Sequence, residues 1–307
     1  MISIIYTSIT TIWIPSWDSG LSYTNNETNF FKLIRYSPET STTKLKAEFI
    51  SSLHYNDDYV YMGTKHGGIS RLNTKTKEVE LFLYDKSLIP SVTSMESDSK
   101  SIFAAISSDI IVVDKVTKRI ENKLLASNYI FCLAFDKYNR LWAATAEGLD
   151  CFEPHGNSYK KLLTVTTSSS KPLTTNLLHS IYSDIEKNEL VITSASGINR
   201  VLLDESGAIK DIVHYKSKQG KGGLSGDYLW PIDKENDSIY WVGSLGSGLN
   251  KVIFRDSGGK YDYTAEFFGV ESGAPSNDIE SVEIDKYGNI WCGGYSLTCF
   301  SPSTKRF

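Results

Sequence analysis

Apolar and polar residues alternate over short stretches along the whole chain, and clusters of Asp, Asn, Gly and Ser separate these stretches. The segment Tyr129–Trp142 shows the unit. An alternating stretch leads to the turn Asp136–Asn139, and a second short stretch ends on Trp142. Period-two alternation bounded by turn residues predicts β-strands. No helical periodicity persists over a useful length, so the chain is predicted to be all-β.

A bulky apolar residue recurs in each second strand, and a Gly-Leu-like pair follows it five to seven residues later. The spacings between successive bulky residues are 48, 42, 39, 49, 50 and 50 residues. A period of this length built from short strands is typical of a β-propeller with one blade per repeat. We therefore predict a seven-bladed β-propeller with these structural anchors packed between blades: Trp13, Tyr61, Phe103, Trp142, Val191, Trp241 and Trp291.

The repeats divide the chain into one propeller with blades at approximately 1–47, 48–89, 90–127, 128–174, 175–226, 227–276 and 277–307. The first residues lack the basic start and long apolar run of a signal peptide, and no apolar run is long enough for a transmembrane helix. The last repeat stops where its outer strand is expected. We therefore expect the chain to be a piece of a longer protein.

The net charge of −4 and the scattered Lys and Arg residues argue against a nucleic-acid partner. The four cysteines make no CxxC or metal-binding spacing, and their places in predicted strands predict buried free thiols. The sequence predicts no catalytic residues, no metal site and no cofactor. Gly243–Gly248 is not a phosphate-binding loop, because it lacks the Gly-Lys-Ser/Thr ending.

Geometry gives the better prediction of a site. In a propeller, the segments that lead into the inner strands and the hairpins after the second strands share one face, around the mouth of the central channel. Aromatic rings there can stack on sugars, and amides and carboxylates can bind hydroxyls. The candidate ligand-binding residues on this face are Trp17, Asp18, Lys65, His66, Tyr129, Asn176, Asp227, Tyr228, Trp230, Asn277, Asp278 and Tyr295. Packing of Tyr228 and Trp230 against the neighbouring blade is the alternative for those two rings.

Several phrases resemble the two-component regulator propeller repeat. The segments Gly288–Gly294, Val60–Ile69 and Tyr240–Leu249 are similar to the family pattern of Asp-x-x-Gly-x-Leu-Trp-Ile-Gly-Thr followed by Gly-Gly-Leu. Leu173–Leu177 and Leu224–Tyr228 are similar to the segment that precedes it. The resemblance covers all seven repeats, loosely in the third and the fifth.

This resemblance implies the periplasmic sensor region of a hybrid two-component histidine kinase, on the periplasmic side of a bacterial inner membrane. It implies an oligosaccharide ligand from polysaccharide breakdown, a second propeller and a β-sandwich as partners, and a homodimer of the full receptor. The chain itself would be a non-enzymatic binding module. Two alternatives stay open: a propeller lyase or glycosidase acting on carbohydrate, and a pure protein-interaction scaffold.

Overall fold

A computed structural model of the chain describes residues 5–7, 11–15, 21–25, 28–34, 49–66, 68–84, 91–218 and 222–307. These residues form seven antiparallel sheets, six with four strands and the last with three. The helical structure in these ranges is one short 3₁₀ turn at Val270–Ser272. The sheets are the blades of a seven-bladed β-propeller, which confirms the predicted fold class.

Packing divides the chain into two compact units, Met1–Ile130 and Phe131–Phe307. The strands that lie wholly in the first unit are β1 (Ile5–Thr7), β2 (Thr11–Pro15), β3 (Leu21–Asn25) and β4 (Thr28–Ile34) in blade one; β5 (Ile50–Asn56), β6 (Tyr59–Thr64), β7 (Ile69–Asn73) and β8 (Val79–Leu83) in blade two; and β9 (Val92–Ser97), β10 (Ser101–Ile106), β11 (Asp109–Asp114) and β12 (Ile120–Leu125) in blade three.

The second unit holds the other four blades, numbered four to seven, except for Ile130, which begins blade four and is the last residue of the first unit. Its strands are β13 (Ile130–Phe135), β14 (Leu141–Thr145), β15 (Gly148–His155) and β16 (Ser158–Val165); β17 (Leu178–Asp184), β18 (Glu189–Ser194), β19 (Gly197–Leu203) and β20 (Ile209–Tyr215); β21 (Leu229–Lys234), β22 (Ile239–Ser244), β23 (Leu249–Ser257) and β24 (Lys260–Phe268); and β25 (Ile279–Ile284), β26 (Ile290–Gly294) and β27 (Thr298–Phe300).

Five of the anchors, Trp13, Tyr61, Trp142, Val191 and Trp241, lie in described cores between neighbouring blades of one unit. In the first unit, Trp13 packs with inner-strand residues of blade two, and Tyr61 packs with those of blade three. In the second unit, Trp241 of blade six contacts Phe300 of blade seven at a ring-centroid distance of 5.4 Å. Six of the seven anchors are buried, whereas Trp291 keeps partial exposure in the three-stranded sheet.

In three blades, the indole N–H of the anchor donates to the carboxylate of an acidic residue six positions earlier in the chain. The Nε1–H of Trp142 donates to Asp136 at 2.8 Å, and that of Trp291 donates to Asp285 at 3.0 Å. In blade six, Glu235 accepts from Trp241 at 2.7 Å. A buried indole N–H needs an acceptor, so this bond explains why the turn before the anchor carries an acid.

The Gly of the Gly-Leu pair is required by a close backbone approach. Gly148 and Gly248 have φ values of 120° and 76°, which L-residues with a side chain rarely adopt. A Cβ would lie 2.4 Å from the carbonyl oxygen of Val165 at the first position and 2.5 Å from that of Phe268 at the second. Glycine therefore lets the third strand begin directly against the end of the outer strand.

The cysteines are free thiols, but only two of the four are fully buried. Cys151 and Cys292 are buried, whereas Cys132 and Cys299 are partly exposed. Burial raises the pKa of Cys151 to about 12 and that of Cys299 to about 11. In β26 and β27 the register pairs Trp291 with Cys299 and Cys292 with Thr298, so the two cysteines are diagonal neighbours.

Candidate functional site

Three consecutive inner strands of the second unit carry an aromatic ring at their second position. The residues are Phe131 in β13, His179 in β17 and Trp230 in β21. The His179 ring stacks on Trp230 with centroids 4.7 Å apart and planes at 22°. Phe131 meets both rings edge-on, 5.6 Å from His179 and 6.1 Å from Trp230. The inner edges of blades four to six therefore meet through these three side chains.

Tyr228 extends this group toward solvent. It lies immediately before β21, and its ring centroid is 5.0 Å from that of His179. The residue is 42% exposed, whereas His179 beneath it is fully buried. We call Phe131, His179, Tyr228 and Trp230 the aromatic cluster. An exposed aromatic face supported by further rings is suited to stacking on the apolar face of a sugar.

His179 fixes the polarity of the cluster. Its Nδ1 lies 2.6 Å from the carbonyl oxygen of Leu229, and a carbonyl can only accept, so Nδ1 carries the proton and donates. Burial lowers the pKa of His179 below its ordinary value, while the hydrogen bond to Leu229 opposes the shift. The ring is therefore neutral at pH 7, and its Nε2 is an acceptor.

The cluster contains one buried acceptor and one buried donor without partners among the described residues. They are Nε2 of His179 and Nε1 of Trp230. Buried polar atoms are almost always hydrogen-bonded, and unpaired ones need an explanation. Both atoms lie below the surface, so neither is open to a ligand that contacts the exposed face of Tyr228.

The predicted residues Asn176, Asp227 and Asn277 have a different local role. Their main-chain carbonyls accept the N–H groups of Gly148, Gly197 and Gly248, respectively, at 2.8, 2.8 and 2.9 Å. Their side-chain oxygens accept the N–H groups of Thr167, Ser217 and Val270 at 2.8, 2.6 and 3.1 Å. We call each such pair of bonds a clasp. It ties the segment that leads into one blade to the hairpin and outer strand of the preceding blade.

The other predicted residues are dispersed. Asp278 accepts the N–H of Gly246 at 2.7 Å, and Tyr295 is 85% exposed. In the first unit, Lys65 lies over the ring of Phe49, His66 is an exposed turn residue with a φ of 65°, and Tyr129 is exposed. Trp17 and Asp18 lie outside the described residues.

The sequence prediction included two members of the cluster, Tyr228 and Trp230, and omitted Phe131 and His179. Aligning the starts of the inner strands would have found them. Ile130-Phe131, Leu178-His179 and Leu229-Trp230 occupy equivalent positions, with an aliphatic residue followed by a ring. The rings of Tyr228 and Trp230 both lie against His179 of the neighbouring blade, so they combine packing with surface exposure.

The described residues contain no group of three or more His, Cys, Asp or Glu side chains that could hold a metal ion. In these same ranges, no helix has the length and apolar character needed to cross a membrane.

Comparison with known proteins identifies one repeat directly. A family model described as "Two component regulator propeller" matches residues 124–147, which include the inner and anchor strands of blade four. The resemblance predicted from the sequence is thereby confirmed. A search of curated proteins gives no match.

Solved structures include similar chains at low sequence identity. The extracellular domain of the putative hybrid two component system BT4673 from B. thetaiotaomicron is 18% identical, with a TM-score of 0.42; the match covers 100% of this chain and 48% of that one. This chain therefore spans about half the length of that relative.

Two further structures have higher TM-scores. The WD40 propeller of Doa1 has a TM-score of 0.68 at 11% identity, over 99% of this chain and 94% of that chain. A chain of the mitotic checkpoint complex has a TM-score of 0.70 at 10% identity, over 97% and 85% of the two chains. These likenesses show the fold alone.

Proposed function

We propose that this chain is the ligand-sensing propeller of a hybrid two-component system sensor, acting on the periplasmic side of a bacterial inner membrane. Its ligand is an oligosaccharide released from a polysaccharide, and its binding is relayed across the membrane. The chain takes part as a binding module and not as an enzyme. The family match over residues 124–147 supports the sensor role.

The aromatic cluster is the observation that carries the ligand assignment. Tyr228 exposes its ring immediately before an inner strand and contacts the ring of His179, which in turn contacts the rings of Trp230 and Phe131. A sugar ring stacks on the exposed face of Tyr228, which His179 supports from below. Asp227 next to it is less available, because its carboxylate already accepts the N–H of Ser217.

Calorimetric titration of the purified chain with a panel of plant and host oligosaccharides tests this proposal. The double variant Tyr228→Ala/Trp230→Ala is expected to weaken binding of the best ligand by about a hundredfold, the effect of losing two stacking contacts. Tyr287→Ala is the matched control, because Tyr287 is an exposed tyrosine in the turn at the opposite end of an inner strand.

Unchanged affinity in a double variant that still melts cooperatively would overturn the site. Binding of no oligosaccharide in the panel would overturn the ligand class. Chromatography of the ligand after prolonged incubation with the protein checks that it is bound and released intact, as expected of a sensor.

A further inference from the structure

A concave site lies on blade six, outside the aromatic cluster. Its volume is about 640 Å³, within the range of small-molecule sites. We call it the blade-six groove and define it by six of its lining residues: Lys218, Leu224, Ser225, Ser247, Phe267 and Asn277. All of them belong to the second unit.

An aromatic ring forms one wall of the groove. Phe267 is 46% exposed although it lies near the end of a regular strand. A Cβ on Gly248 would lie 3.3 Å from Cε2 of this ring, and one on Gly269 would lie 3.1 Å from it. The ring therefore rests on the bare backbone of two glycines, which supports it from one side and leaves the rest of its surface open to a ligand.

Uncommitted polar groups stand near the ring. Asn277 uses its Oδ1 to accept the N–H of Val270, so its Nδ2 is the group left to donate, and that nitrogen has no partner among the described residues. In the same ranges, the hydroxyl of Ser247 has no partner either. Ser225 donates its hydroxyl to the carbonyl of Ser247 at 2.7 Å and retains free lone pairs. Donors and acceptors are thus both present.

The charged groups of the groove are already neutralised by neighbours. Lys218 pairs with Asp262 at 2.7 Å, and Glu266 pairs with Lys305 at 2.6 Å. Such exposed pairs add little stability, but each places an opposite charge beside the one that lines the groove. This composition, with a ring, hydroxyls, an amide and balanced charge, favours a neutral sugar over a phosphate or a uronic acid.

One hairpin connects the groove with the aromatic cluster. Gly246 and Ser247 line the groove, and the N–H of Leu245 in the same hairpin approaches the carbonyl of Tyr228 at 3.4 Å. We propose that the groove binds a neutral sugar unit of the same oligosaccharide whose other end stacks on the aromatic cluster. This inference rests on the proposed function and adds that the ligand is neutral and long enough to cross the hairpin.

A length series tests the inference. The probes are size-fractionated neutral oligosaccharides from partial hydrolysis of galactan, xylan and mannan, titrated by calorimetry into the purified chain. Phe267→Ala is expected to weaken binding of the longer fractions about three- to tenfold, the effect of one lost stacking contact, and to leave the shortest binding fraction unchanged. Ser247→Ala is expected to act in the same direction about threefold, because the loop uses only the main-chain groups of Ser247.

Tyr261→Ala is the matched control, since Tyr261 is partly exposed at the other end of the same strand. Thermal melting verifies that each variant is folded, and Ser247→Ala keeps the test valid if Phe267→Ala does not fold. Unchanged binding at every length in both groove variants, with binding still lost in Tyr228→Ala/Trp230→Ala, overturns the groove alone. If the Tyr228→Ala/Trp230→Ala variant binds every fraction with unchanged affinity, the proposed function and the groove are both overturned.

Discussion

In both units, a side chain at the second position of one inner strand hydrogen-bonds to the carbonyl of the first residue of the next inner strand. The side chains that make this bond differ between the units. In the first unit, Ser51 donates to Val92 at 2.7 Å and Thr93 donates to Ile130 at 2.8 Å, each time to the first residue of the next inner strand. In the second unit, His179 makes the equivalent bond to Leu229. A hydroxyl is therefore sufficient for the fold. The large rings at this position in the second unit exceed what the fold requires, which makes them candidates for function.

The largest expected effect falls on the core anchors, where the two units are alike. Trp13→Ala and Trp241→Ala are each expected to lower the free energy of unfolding by about 3–5 kcal/mol, because both indoles are completely buried between blades. Denaturant unfolding measures the loss, and Trp291→Ala, at a partly exposed anchor, serves as the comparison with a smaller loss. A loss below about 1 kcal/mol at either buried site would contradict the assigned core.

The next effect comes from two partly buried carboxyl groups with raised pKa values, Glu96 in the first unit and Asp233 in the second. Burial raises the pKa of Glu96 from 4.5 to about 7, so the folded state binds a proton that the unfolded chain has released between these values. The resulting destabilisation is absent below pH 4.5, grows as the pH rises and is complete above about pH 7. Glu96→Gln removes it and is expected to stabilise the protein by about 1–3 kcal/mol at pH 8.

Asp233 of the second unit behaves similarly, with its pKa raised by burial from 3.8 to about 6. Its carboxylate accepts the N–H groups of Ile284 and Lys234, and an amide has only one oxygen to replace it. Asp233→Asn is therefore expected to stabilise less than Glu96→Gln, with the gain appearing between pH 3.8 and about 6. Unfolding curves at a series of pH values compare the two. Gains that do not change with pH would disprove the titration of these groups.

Two buried anchors, Trp142 and Trp13, differ in whether the indole N–H has a hydrogen-bond acceptor. Trp142 donates to Asp136, whereas Nε1 of Trp13 has no partner among the described residues. Trp142→Phe is expected to cost about 1–2 kcal/mol more than Trp13→Phe, since only the first substitution leaves a buried acceptor short of a bond. Equal losses in parallel denaturant titrations would show that the Asp136 bond contributes nothing to stability.

The smallest expected loss of stability comes from removing the hydroxyl of Thr93, which donates to the carbonyl of Ile130. Thr93→Val is expected to cost about 1 kcal/mol through loss of the bond to Ile130, and Thr93→Ser, which keeps the donor, is the control. Neither substitution is expected to alter oligosaccharide affinity. A change in affinity with Thr93→Val would remove the functional distinction drawn between the two units.

The fold could be predicted from the sequence because the residues that define each repeat interact within one blade or with the neighbouring blade. The turn acids, the anchors and the Gly-Leu pairs each satisfy a constraint within one blade or between neighbours, so their spacing is visible in the chain. The site is harder to predict, because it depends on which residues face each other across blades. Asn176, Asp227 and Asn277 look like ligand-binding amides and acids, yet their oxygens are held by backbone N–H groups. The stacking of His179 on Trp230 joins residues 51 positions apart, and only an alignment of the inner-strand starts of different blades places the two residues at equivalent positions.

The clasps carry a consequence for how such a chain can change in evolution. Each one joins a blade only to its immediate predecessor, through one residue before the inner strand and two N–H groups of the blade before it. A tandem duplication of a whole repeat therefore brings both halves of a clasp with it, and the new junction is satisfied at once. Duplication or loss of a complete repeat thus preserves both hydrogen bonds of each clasp, whereas insertion of part of a repeat leaves a donor or an acceptor without its partner.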